Sequence, residues 1–163
     1  MSERGGVEVA QEPDSRGISA IVLGHGDFAG GLVSATAQIT GRGSRLLSLS
    51  NQGLSGERLE EALHAAIAAS GARLVFTDLP GGSWTIAARR VQREIPSLVV
   101  ITGVNLPMLL DVVYRDEGEV EELARRSAER GRSAVTVSQL SRAAGEGEGG
   151  VSGGASRGGA HVG

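Results

Sequence analysis

The sequence predicts an α/β fold: a single domain whose doubly wound, mainly parallel sheet is flanked by helices on both faces. Three observations carry this prediction. Four short apolar runs end at Gly, Asn or Asp, as buried strands do. Stretches with helical hydrophobic spacing separate them, so strand and helix alternate along the chain. A chain of 163 residues with 40% apolar side chains is long enough for one core and short for two.

In chain order, the runs are Ile18 to Leu23, Arg45 to Ser50, Arg73 to Asp78 and Ser97 to Thr102. A first helix is expected to start near Asp27, a cap candidate. In the next helix Leu59, Ala62, Leu63, Ala66, Ile67 and Ser70 share one face, with Ser55 as N-cap, a Leu54 to Leu59 staple and Gly71 as terminator. The third begins near Ser83 and runs to Pro96. Asn105, Leu106 and Pro107 shape the fourth loop and start a helical pair covering Met108 to Arg130. A short edge strand is expected at Ala134 to Val137. The domain is placed at 16–142, between a polar, disordered tail at 1–15 and a Gly-rich flexible tail at 143–163, which carries His161.

Composition excludes several classes of function. There is no cysteine, so neither a disulfide framework nor a thiolate zinc site exists. With three histidines, one of them in the tail, no metal site and no cofactor are expected. The N-terminus lacks the basic-then-apolar order of a signal peptide, and the longest apolar stretch, Leu98 to Val113, is interrupted by Asn105, Pro107 and Asp111. A cytoplasmic protein is expected. The net charge is −3, the positive charges are all arginine and are dispersed, and the aromatics are Phe28, Phe76, Trp84 and Tyr114 alone. No nucleic-acid surface is expected from such a pattern.

Open parallel sheets bind ligands beyond the carboxyl ends of their strands, so the chemistry should lie in the turns that follow them. After the first run comes Gly24-His25-Gly26, where the glycines leave an imidazole uncrowded at the sheet edge. A ring nitrogen there is nucleophilic once the other is held by a hydrogen bond. Asp78, at the end of another strand, is the natural acceptor and would offset charge developing on the ring. Alone, it would equally serve as a helix cap. Gly81, Gly82 and Ser83 precede a helix, and amides at such a start favour a bound anion. A phosphoryl group fits, with hydroxyls from Ser83 and Thr77 as further donors. Phe28 and Trp84 flank these turns as packing or partner surface. His64 is assigned to a solvated pair with Glu60, four residues earlier.

Gly24 to Ala29 also satisfies G-x-G-x-x-A after a strand, the dinucleotide fingerprint. That reading wants a carboxylate at the end of the second strand, where Leu49-Ser50-Asn51-Gln52 has none. A P-loop would require lysine, and no G-x-S-x-G elbow occurs.

Three motifs in order, Gly24-His25-Gly26 with Ala29-Gly30-Gly31, Thr77-Asp78 with Gly81-Gly82-Ser83, and Gly103 to Leu110, resemble the mannose-family enzyme IIA of the phosphoenolpyruvate-dependent sugar phosphotransferase system. The resemblance covers about Ile18 to Leu140. It implies that His25 takes a phosphoryl group from phospho-HPr and passes it to a IIB component for sugar uptake. It further implies Asp78 as hydrogen-bond partner, Thr77, Gly82 and Ser83 as the phosphoryl pocket, a homodimer, and membrane contact only through the permease. The family often has an aromatic residue where Pro80 stands and proline where Trp84 stands. Two alternatives share these motifs: a phosphotransfer subunit of a dihydroxyacetone kinase, and a regulatory module read out through its phosphorylation state.

Overall fold

A computed structural model describes residues 17–115 and 117–139. The strands are β1 (Ala20–Gly24), β2 (Leu46–Ser50), β3 (Leu74–Thr77) and β4 (Val99–Thr102), all parallel, in the order β2-β1-β3-β4. The helices are α1 (Phe28–Thr40), α2 (Glu57–Ser70), α3 (Ser83–Glu94), α4 (Leu106–Tyr114) and α5 (Val120–Ser133).

The two-residue alternation of β1 builds the double winding. Ala20 and Val22 point into one core with Phe76, Leu109 and Val112, under α1, α4 and α5. Ile21 and Leu23 point into the other with Leu63, Val75, Trp84 and Val91, under α2 and α3. Every residue of β1 and β3 is buried because both faces are covered, which is why these strands read as continuous apolar runs.

The elements agree with the expected order, and several details differ. The segment Ala134 to Val137 forms no strand: α5 continues to Ser133, and Val135 and Val137 are exposed. A strand needs a neighbour's edge, and the chain leaving α5 does not reach one among the described residues. Gly56 occupies the N-cap of α2, so Ser55 lies one position too early and contributes its carbonyl to Arg58 N–H instead of a side-chain cap. Gly71 does end α2, in the left-handed region at φ 71°. Asn105 caps α4, its Oδ1 accepting from Met108 N–H at 3.3 Å, with Pro107 in the first turn. The expected tails at 1–15 and 143–163, with His161, lie outside the described residues. No helix among the described residues is long and apolar enough to cross a membrane.

The strand order places the site. The chain leaves β1 for β2 on one side and returns to β3 on the other, so β1 and β3 flank the switch point where loops diverge above the sheet. In register, Leu23 of β1 lies beside Thr77 of β3. His25 and Asp78, which follow them, therefore emerge side by side.

Candidate active site

His25 sits in the turn between β1 and α1, between Gly24 and a Gly26 whose φ of 53° is one a side chain would resist. Its ring is 46% exposed, whereas the Asp78 side chain is 9% exposed. The Oδ2 atom of Asp78 accepts from the His25 backbone N–H at 2.9 Å and lies 2.6 Å from Nδ1 of the ring. Its Oδ1 accepts from Leu79 N–H at 2.9 Å. Burial pushes the Asp78 carboxyl upward. The hydrogen bonds from the His25 ring and amide, the charge of His25 and the Leu79 amide outweigh it and hold the group below 3.8.

An ionised carboxylate only accepts, so the 2.6 Å contact requires the proton on Nδ1. In the neutral form of the ring Nε2 then keeps its lone pair. Both carboxylate oxygens are used by loop residues, so Asp78 does not cap α3. Gly82 holds the cap position of that helix instead.

Gly82 is a glycine for a steric reason. A Cβ there would come within 3.2 Å of His25 Cε1 and 3.8 Å of Asp78 Oδ1. The start of α3, with its unpaired first-turn amides, thus approaches the imidazole closely. Ser83, the first residue of α3, is exposed at the same end. Thr77 departs from expectation: its side chain is fully buried and its Oγ1 lies 2.6 Å from Thr85 Oγ1. Because the Thr85 hydroxyl donates to Leu79 O, the Thr77 proton goes to Thr85 and the group faces the interior. Strand alternation turns Thr77 toward α3, away from the side on which Asp78 meets the ring.

The remaining candidates are placed clearly. Asp27 stands at the N-cap of α1 without a side-chain cap bond. Trp84 is fully buried, and Phe28 is exposed beside the histidine turn. His64 pairs with Glu94 of α3 at 2.9 Å, and Glu60 takes Arg90 at 2.8 Å, so packing between α2 and α3 replaces the expected contact within α2. The Ser50 hydroxyl, where a dinucleotide site would place its carboxylate, donates to Gly26 O at 2.8 Å. A contribution that sequence reasoning missed is Thr85, which braces the carbonyl of Leu79 from below. Its only signal was its place one turn into α3, opposite the β3 end.

The site is an open face, and the larger grooves lie elsewhere. The groove along β4 and α5, of about 930 Å³, contains no residue of the histidine turn or of the Asp78 loop. An imidazole displayed on a surface is approachable by another macromolecule, whereas small substrates are usually enclosed.

Residues 19–127 match the model of the family described as the PTS system fructose IIA component. The mannose/sorbose-specific IIA subunit of the phosphotransferase system from Enterococcus faecalis is 27% identical, over 78% of this chain and 98% of that one, with a TM-score of 0.66. The phosphotransferase system component EIIA from Streptococcus agalactiae shares the fold at a TM-score of 0.68, with 24% identity over 74% of this chain and 96% of that one. No curated protein matches the chain. The family match spans well over half the sequence and includes both the histidine turn and the Asp78 loop. The chain therefore belongs to the mannose-type IIA family and is a phosphocarrier component of the phosphotransferase system.

Proposed function

We propose that His25 is the residue that carries the phosphoryl group, accepting it on Nε2 from phospho-HPr and passing it to a IIB component for sugar uptake. The observation that carries this reading is the 2.6 Å contact between His25 Nδ1 and Asp78 Oδ2. It fixes one tautomer and leaves Nε2 nucleophilic. As Nε2 attacks phosphorus, the bond from phosphorus to the donor's ring nitrogen breaks, and the donor imidazole keeps the electron pair. The His25 proton stays on Nδ1, and Asp78 offsets the positive charge that the ring acquires. Gly82 leaves room beside the ring, and the Ser83 hydroxyl with the first-turn amides of α3 serves as donors to the phosphoryl oxygens. Thr77 supports this pocket from beneath, through Thr85 and the Leu79 carbonyl. Neutral donors suit a carrier, because a strongly cationic pocket would trap the intermediate.

The protein acts in the cytoplasm and as a homodimer in this reading. Support for a second copy comes from β4, an open sheet edge with an adjoining groove lined by Val99, Ile101 and Met108. The test is incubation with phosphoenolpyruvate, enzyme I and HPr. An acid-labile, base-stable adduct is expected, and His25→Ala should abolish it. Phosphate retained on that variant would refute the assignment.

A further inference from the structure

The Gly24–His25 peptide is a single planar unit whose carbonyl belongs to Gly24 and whose N–H belongs to His25. Its N–H donates to Asp78 Oδ2 at 2.9 Å. Its carbonyl accepts from the indole Nε1–H of Trp84 at 3.2 Å and from Asn51 N–H at 3.3 Å. Gly24 on one side lowers the cost of rotating this peptide plane, so its setting depends on these hydrogen bonds, with Asn51 N–H and the Trp84 indole sharing the carbonyl. Rotation would turn the N–H away from Asp78 Oδ2, the same oxygen that meets Nδ1 of the ring.

We infer that Trp84 is a positioning residue for phosphoryl transfer, acting through its indole N–H on the Gly24 carbonyl to hold the His25 peptide so that one carboxylate oxygen of Asp78 meets both the amide and Nδ1. The inference rests on the reading of His25 as the phosphoryl acceptor. Trp84 is fully buried in the second residue of α3, so its ring has a packing role that any large apolar group would share. The N–H is the distinguishing part. A buried indole N–H needs an acceptor, and this one uses a carbonyl 60 residues away, directly before the nucleophile. The same helical turn also brings Gly82 against the His25 ring and Thr85 under Leu79. The first turn of α3 is thus joined to both loops of the switch point, and Trp84 supplies a hydrogen bond to the loop carrying the nucleophile.

Trp84 is the chain's sole tryptophan, which makes an isosteric test practical. Biosynthetic replacement by a benzothienyl analogue exchanges the ring N–H for sulfur at this position alone, and Trp84→Phe removes the donor genetically. Imidazole nitrogen shifts, read by long-range proton–nitrogen correlation, should show the Nδ1–H tautomer of His25 losing population in the folded analogue protein. Phosphoryl uptake from phospho-HPr should slow about tenfold, the scale of one positioning hydrogen bond. Unchanged tautomer and rate in the folded analogue would overturn the inference. If neither altered protein folds, the natural chain decides: a scalar coupling across the hydrogen bond from indole nitrogen to the Gly24 carbonyl carbon is expected, and its absence refutes the role. The tautomer measurement needs no phosphoryl donor. Failure of the natural chain to be phosphorylated would therefore remove the functional reading and leave the evidence on Trp84 separate.

Discussion

One carboxylate oxygen of Asp78 contacts His25 twice, at 2.9 Å from the backbone nitrogen and 2.6 Å from Nδ1. A single acceptor thereby orients both the main chain and the ring of a residue 53 positions away. The contact depends on β1 and β3 being neighbours, with Leu23 and Thr77 in register.

Replacing Asp78 with Asn should separate orientation from charge. The amide oxygen still accepts from the His25 N–H, but no negative charge remains to offset the phosphorylated ring. The rate of phosphohistidine formation, followed by rapid quench, should fall by about 100-fold or more, while unfolding by urea shifts by about 1–3 kcal/mol. A rate within a factor of two of the natural protein would remove Asp78 from the mechanism.

Acid should expose the same interaction. The carboxyl of Asp78 is lowered in the folded state, so the unfolded chain binds its proton first as pH falls. Its contribution to stability is complete above 3.8, the ordinary value, and is lost as pH drops through the lower folded value. Urea titrations between about pH 2 and 6 should show the gap between the natural chain and Asp78→Asn constant at the upper end and narrowing only toward the lower. Narrowing that is already complete at the upper end of this range would contradict the shift.

Gly82→Ala adds a methyl group within 3.2 Å of His25 Cε1. With φ at −74° the backbone tolerates alanine, so the cost falls on the imidazole and on a weaker helix cap of about 1 kcal/mol. The transfer rate should drop by about tenfold, more than stability alone would explain. Thermal melting combined with the phosphorylation assay distinguishes the two effects.

Asp111 provides a control remote from the chemistry. Its side chain, 7% exposed on α4, accepts from Arg126 Nε of α5 at 3.0 Å. Asp111→Ala leaves the guanidinium without its buried partner, and because Arg126 is itself 30% exposed the loss should be about 2 kcal/mol, below that of a fully buried pair. Phosphoryl uptake by the folded variant should be unchanged. A large fall in rate at full folding would mean that α4 and α5 act on the site.

Much of the site was legible because strand ends are legible. Asp78 closes an apolar run and His25 follows one, and ligand-binding loops of parallel sheets lie there by topology. The hydroxyl of Thr77 was not legible: all of β3 is buried, so composition gives no hint of which face a residue takes. His64 shows the same limit. Its spacing from Glu60 suited a pair within α2, and the packing of α3 supplied Glu94 and Arg90 instead. The expected strand at Ala134 to Val137 had the right residue types, but a strand exists only where another edge accepts its hydrogen bonds.

By itself the sequence determined the alternation of strand and helix, the two apolar faces of β1 and the glycine turns that free the histidine. All of these follow from local sterics and hydrophobic period. Only the tertiary structure decided which distant groups meet: Asp78 with His25, Thr77 with Thr85, and the Trp84 indole with the Gly24 carbonyl. Hydrogen bonds over such separations are selected by the packing of the whole domain, since no local pattern specifies which of many buried acceptors a donor will reach.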